Sequence, residues 1–264
     1  MRNSFARRSM VPALILSLLP ALLGLAGVAQ AGIITYTGYD PNVAPGDSRP
    51  NSDAAAAAFG AAVGSFRLIT FEGLPIGNFA TRTVAPGVTV TLTGTDSDPA
   101  TNPGITNVNN QELGYNTTAG GTQHLRVVPP WGDDPNVNLS LSATFAFNTP
   151  IRAFGAYLTG TQTAMEGAIS LDFNDGSAQT LAVTKNAVEG VQFLGFTDFG
   201  RPISSVTFTE VAPFWNNRDV YGIDDVRYSS IPEPGSLALF LIGAAALVLR
   251  SLRRRGESVP AASR

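Results

Sequence analysis

The chain has 264 residues, 44% of them hydrophobic and 14% charged, with a formal net charge of −3 at pH 7, 27 glycines, 18 prolines and no cysteine. The missing cysteines exclude disulfides, thiol catalysis and cysteine-ligated metals. One histidine leaves no imidazole set for zinc, and the acid excess argues against nucleic acid as a partner.

Residues 1–31 read as a leader. Arg2, Arg7 and Arg8 precede an apolar stretch over residues 11–28, and Ala29-Gln30-Ala31 supplies the small-x-small pattern of a signal-peptidase site. The mature chain is expected to begin at Gly32. The Arg7-Arg8 pair also permits a twin-arginine export signal, although the residues after it fit that motif poorly. Between Gly32 and Ile231, nine basic residues stand against eighteen acidic ones, a net charge of −9 that suits cation binding or simple solubility.

"IITYTG" reads as a first short strand. In "NSDAAAAAFGAAVG" the alanine run favours a helix, with Ser52 or Asp53 as its cap and an end near Gly64. From Leu68 onward short β-like runs alternate with turn residues: "RLITFE", "VTVTLTG", "HLRVVP", "LSLSATFAF", "RAFGAYLTG", "AISLDF", "QTLAVT", "VQFLGFTD", "SSVTFTEV" and "DVYGIDDVRY". Leu139, Leu141, Ala143, Phe145 and Phe147 alternate as on a half-buried antiparallel strand, and Asp175-Gly176 is a hairpin signal. These features predict an all-β antiparallel sandwich or jelly roll with one short N-terminal helix. The polar segment over residues 94–121 is too long for an ordinary connection and has room for one irregular strand.

Several residue groups are candidates for chemistry. His124 has no second histidine beside it and reads as a strand residue rather than a catalytic base. A glycosidase needs only two suitably separated carboxylates, so a polysaccharide hydrolase stands as an alternative, weakly, because eighteen acids always offer some pair. Trp131 in "PPWGDDPN", and Trp215 with Asn216 and Asn217 in "APFWNNRD", combine aromatic faces with hydrogen-bonding groups, as sugar sites do; the alternative is that each tryptophan plugs an end of the sandwich. Asn116-Thr117-Thr118 and Asn138-Leu139-Ser140 match a glycosylation sequon, here read as incidental.

Glu72 in "TFEGLP" and Asp224-Asp225 in "YGIDDVRY" stand near the two ends of the β region. The pairing resembles the first and last strands of jelly-roll modules such as MAM domains and several carbohydrate-binding modules. That resemblance implies a structural cation shared by Glu72, Asp224 and Asp225, and calcium favours such oxygen donors. Because strand residues alternate sides, only one of Asp224 and Asp225 is expected to face the ion. The alternative is that these acids pair with Arg218 or Arg227, or bond strand-end amides.

The tail follows. Pro232-Glu233-Pro234 precedes a 13-residue apolar run from Leu237 to Leu249, and Arg253-Arg254-Arg255 closes it. With its flanks the run is long enough for a membrane helix, whose arginines belong on the cytoplasmic side. The order of these parts, over residues 231–255, resembles the PEP-CTERM sorting signal of Gram-negative bacteria that make exopolysaccharide, a tail also called an ice-binding protein C-terminal domain without implying ice binding. The resemblance implies an exosortase-type processing enzyme, an inner-membrane stage, and delivery to the cell surface or matrix. Residues 68–228 are also similar to the common body of many such proteins, which have few assigned activities.

The expected organisation is a signal peptide (1–31), an N-terminal strand and helix (32–66), a β-sandwich (67–230), the sorting signal (231–255) and a cytoplasmic tail (256–264). The expected function is non-catalytic association with exopolysaccharide or another surface glycan. A purely structural surface protein is a further alternative.

Overall fold

The computed structural model describes residues 32–94, 103–129, 139–161, 167–173, 176–182, 189–198, 200–212 and 220–230. The leader and the tail anchor expected from the sequence lie outside them. Among the described residues no helix is long and apolar enough to cross a membrane.

The architecture depends on one strand. The sequence suggests two strands around Asn148-Thr149-Pro150, but β7 runs unbroken over Leu139–Thr159, 21 residues. Its first half pairs antiparallel with β4 (Val88–Thr93) on one side and β11 (Ile203–Ala212) on the other. Its second half pairs with β10 (Gly190–Thr197) and β12 (Tyr221–Ser230). The strand therefore bends from one layer into the other, and two sheets face each other.

The first sheet runs β3 (Thr81–Ala85), β4, β7, β11, β8 (Gly167–Phe173) and β9 (Ala178–Ala182). The second runs β1 (Ile34–Pro41), β10, β7 and β12, whose far side is shared by β2 (Arg67–Ile69) and β6 (His124–Val127), with β5 (Gly104–Thr106) beyond β6. The pairings are antiparallel, as the sequence predicts for a sandwich. The short β5 is the irregular strand within the polar segment. Strand β3 is not foreseen, although Pro86-Gly87, with Gly87 at φ +76°, marks the tight turn joining it to β4.

Alternation fills the space between the sheets. Val88, Val90 and Leu92 of β4, Phe145 and Phe147 of β7, and Phe208 of β11 meet Leu194, Phe196, Ile223 and Val226 from the opposite layer. Phe154 touches the rings of Phe145, Phe147, Phe196 and Phe208, at centroid distances of 5.5 to 6.2 Å.

The other face of the second sheet is covered by α1 (Pro50–Val63). Phe59 and the buried Ala55 and Ala56 pack on Val191, Phe193, Tyr157 and Ala153. The alanine run lets the helix sit low. Gly38 of β1 takes this furthest, because a side chain there would collide with the Asn51 carbonyl. The cap comes from elsewhere than expected. Pro50 opens the helix, and Asp40 of β1 accepts from the backbone N–H groups of Asn51 at 3.1 Å and Ser52 at 2.7 Å. A carboxylate on the helix N-terminus satisfies amides that the helix itself leaves unbonded. These amide and hydroxyl bonds hold the Asp40 carboxyl below its usual range despite the opposing effect of burial. The helix ends at Val63, with Gly64 at φ +76°, as the sequence predicts.

Two substitutions test this packing. Phe154→Ala should cost about 3–5 kcal/mol of unfolding free energy, read from urea denaturation, because the surrounding rings lose a shared neighbour. Gly38→Ala should cost about 1–3 kcal/mol in the same assay by forcing α1 off the sheet.

Candidate functional site

The outer face of β6 and β12 lies under the segment over residues 107–123. Asn110 starts its turn by accepting from the amides of Glu112 at 2.7 Å and Leu113 at 3.1 Å. Gly114, at φ +98°, then passes so close to Gly222 of β12 that a Cβ would strike the Gly222 backbone. Thr159 of β7 fastens the next residue through its hydroxyl, accepting from the Tyr115 amide at 2.8 Å and donating to the Tyr115 carbonyl at 2.9 Å.

Beyond this point two sets of acids hold the segment. Glu72 Oε1 accepts from the amides of Thr122 and Gln123, each at 2.7 Å, and from Asn116 Nδ2 at 3.0 Å. Between these contacts in sequence, Asp224 Oδ2 accepts from the Thr117 amide at 2.6 Å, the Thr117 hydroxyl at 3.0 Å and the Thr118 amide at 3.2 Å. Asp225 accepts from the hydroxyls of Thr117 at 3.1 Å and Thr118 at 2.7 Å.

Both aspartates thus face one side, which corrects the alternation argument. The register shifts between Asp224 and Arg227, so that Asp225 and Val226 stand opposite the single Ala156 of β7. Asp225 sits at φ +46°. This is a β-bulge, and the extra residue turns the second carboxylate to the side of the first. Among the described residues Asp224 bonds backbone amides, those of Thr117 and Thr118, and Arg218 lies outside them. Arg227 instead donates to the Ala56 carbonyl of α1 at 3.0 Å and lies over the rings of Phe66, Tyr157 and Phe193.

Asp224 is fully buried, and its second oxygen, Oδ1, has no hydrogen-bond partner among the described residues. Burial, and then the neighbouring Asp225 charge, push its carboxyl up to about 7. A buried carboxylate oxygen without a donor favours either a proton or a cation beside it. The donor set has the oxygen chemistry of a hard divalent ion, two carboxylates with two hydroxyls. Glu72 binds the same segment on either side of the Asp224 contacts, at Asn116 and at Thr122 and Gln123, and among the described residues no group of three His, Cys, Asp or Glu is placed to hold a metal.

His124 is buried on β6, and neither ring nitrogen has a hydrogen-bond partner among the described residues. Burial followed by the Arg126 charge lowers it to about 3. Arg126, beside it, donates to the Val108 carbonyl.

The held segment forms one wall of a cleft of about 410 Å³, and residues 43–53 form the other. Arg49 spans the two walls. It ion-pairs with Asp53 at 2.9 Å, donates to the Thr117 carbonyl at 2.8 Å, and lies 4.5 Å over the Tyr157 ring. The Tyr115 hydroxyl also crosses, donating to the Val43 carbonyl at 2.8 Å.

Sequence reasoning selects the acids but not their partners. Asn116, Thr117 and Thr118 stand out in the sequence only as a sequon, yet their amides and hydroxyls are the groups that the acids hold. Asp40 has no local signal, since its partners Asn51 and Ser52 lie 11 and 12 residues away, and for Arg49 only the Asp53 pair is local, while the Thr117 carbonyl lies 68 residues away. Trp131, Trp215, Asn216 and Asn217 lie outside the described residues, as do Pro232, Glu233, Pro234 and Arg253 to Arg255.

His124 makes a pH prediction. Its folded value lies below the ordinary 6.5, so between pH 6.5 and 3 the unfolded chain takes up a proton that the folded chain refuses. Its contribution is complete above pH 6.5 and is lost as pH falls toward 3. Calorimetric melting of His124→Gln from pH 3 to 8 should therefore show a shallower acid limb than the parent, by up to about 1.4 kcal/mol per pH unit.

No curated protein matches the chain in sequence. Among solved structures, it is similar to the family 29 carbohydrate-binding module CBM29-2, with TM-score 0.35 and 14% identity over 62% of this chain and 90% of that one. A cleaved adhesin domain of Lys-gingipain gives TM-score 0.37 and 13% identity over 64% and 99%. The module TmCBM61, solved in complex with β-1,4-galactotriose, gives TM-score 0.33 and 12% identity over 62% and 95%. The family model that matches does so at the end of the chain: residues 230–255 carry the PEP-CTERM protein-sorting motif, the mark of an exported protein with a C-terminal membrane-anchoring signal.

Proposed function

We propose that this chain is an exported, non-catalytic protein delivered by its tail to the cell surface or extracellular matrix, where the sandwich associates with exopolysaccharide. The observation that carries this reading is the sorting motif and its position. Residue 230 opens the matched region and also ends β12. An exosortase-type enzyme can therefore cut beyond the last strand without removing a residue from either sheet. Before the cut, the apolar run holds the protein in the inner membrane with its arginines on the cytoplasmic side. Trp131, Trp215, Asn216 and Asn217 are the proposed glycan contacts, for the reasons given by their residue types.

A structural calcium belongs to the same proposal. The unpartnered Oδ1 of Asp224, with Asp225 turned to the same side by the bulge, supports a cation at the acid pair. Glu72 then acts as a brace of the shared segment, through Asn116, Thr122 and Gln123, rather than as a third ligand. A bound ion would tie the last strand to the segment over residues 107–123 and so keep one wall of the cleft in place.

Two experiments test this. The full chain and its Glu233→Ala variant are produced in an exosortase-bearing host and fractionated. The parent should reach the surface or matrix, co-sediment with the host's exopolysaccharide and release no reducing ends; Glu233→Ala should stay with the inner membrane. A matrix location without polysaccharide binding would leave the purely structural role, and released reducing ends would make the protein a hydrolase. Calcium, at a hundredfold excess over its Kd, should raise the Tm of the released protein by roughly 5–10 °C relative to EDTA, and Asp224→Asn should abolish the rise. Equal melting in calcium and EDTA would remove the ion.

A further inference from the structure

We infer that the cleft between residues 43–53 and the segment over residues 109–121 is a binding site for a short stretch of neutral saccharide, separate from the tryptophan loops. The inference rests on the glycan-associated reading above and assigns that reading a second place on the molecule.

Size comes first. At about 410 Å³ the cleft falls within the ~300–1,000 Å³ range of small-molecule sites. Its walls are pre-formed. One is held by Glu72 and by the acid pair, and Arg49 and Tyr115 join it to the opposite wall. A site fixed in this way loses little freedom on binding.

The lining sets the class of ligand. Asp47, Asp53, Asn109, Asn116, Thr117 and Thr118 bring acceptor oxygens to the lining, while the donors there are given within the protein: Asn116 Nδ2 to Glu72 and the Gln123 carbonyl, Asn109 Nδ2 to the carbonyls of Asn107 and Thr122, and the threonine hydroxyls to Asp224 and Asp225. Sugar hydroxyls, which donate readily to oxygen acceptors, match such a surface. An anionic ligand fits poorly. Among the described residues Arg49 is the one cation of the lining, and two aspartates stand beside it. Its guanidinium is already engaged by Asp53, the Thr117 carbonyl and the Tyr157 ring. A flat aromatic ligand fits poorly as well. Tyr115 is the only aromatic residue of the lining among the described residues, and it is 1% exposed with its hydroxyl given to Val43. What remains is a neutral polyol of about one or two sugar units, gripped by its hydroxyls.

The test uses the released product of the full chain, as processed by the host, and two oligosaccharide fractions, neutral and acidic, from partial hydrolysis of the host's exopolysaccharide. Titration calorimetry should show the neutral fraction binding. Ala119→Trp fills the cleft from an exposed position on its wall and should weaken that binding at least tenfold. Asp47→Asn removes a charge while leaving an acceptor for the Ala44 amide, and should weaken it several-fold with an unchanged Tm. If both variants bind the neutral fraction as the parent does, the cleft is not the site and the glycan reading stands on other residues. The cleft is likewise ruled out if the intact polymer binds but neither fraction does. Binding of the acidic fraction, lost in Ala119→Trp, would overturn the neutral class. No binding of polymer or fractions would bring down this inference together with the glycan reading.

Discussion

Strand β7 is the constraint on which the rest depends. Four strands find their register against it, β4 and β11 along its first half and β10 and β12 along its second. Because the two halves lie in different sheets, the bend near Pro150 fixes how the layers face each other, and with it which side chains meet in the core. Phe145 and Phe154, nine positions apart on this one strand, come together with ring centroids 5.5 Å apart. One continuous backbone thus supplies core residues from both of its halves, among them Leu141, Phe145, Ile151, Phe154 and Leu158.

The outer face of the second sheet is handled in two ways. Under α1 it is apolar, with small residues where the helix comes close. Under the segment over residues 107–123 it is polar, and acids from Glu72 and the bulge satisfy the backbone amides of a long irregular stretch. A buried amide without an acceptor is costly, so a loop of this length can lie against a sheet only if something supplies the acceptors. The carboxylates do so here, and their cost appears at Asp224. There one oxygen gathers the amides and hydroxyls while the other meets no donor among the described residues. The loop, the acid pair and the cleft wall are therefore one structural unit.

Much of the fold is legible in the sequence because period-two alternation is a local signal. It marks β4, β8, β11 and the first half of β7 directly, whereas β10 is buried on both faces and does not alternate, and the alanine run with Gly64 marks α1. The bend in β7 is hidden because Asn-Thr-Pro has the chemistry of a turn, and only the pairing on both sides reveals a continuous strand. The bulge is a subtler case. Tyr221, Ile223, Val226 and Tyr228 all point into the core, at spacings of two, three and two. That odd step in "YGIDDVRY" is visible in the sequence, and it places Asp224 and Asp225 between two inward residues, on the same side. The partners of the acids are not legible, because Thr117 and Asp224 lie 107 residues apart and nothing in either neighbourhood names the other.

The position of β12 has a mechanical side. It is the last strand of the sandwich in sequence, yet it lies inside its sheet, bonded to β7 along one edge and to β6 and β2 along the other. The sorting motif continues directly from its end. Tension on the tail would thus fall on a strand held from both sides and pinned by the Asp224–Thr117 contacts, instead of on an edge strand that could peel away alone. The same placement sets an order of assembly. The second sheet stays divided, with β2, β5 and β6 lacking their link to β7, until the residues just ahead of the tail have arrived.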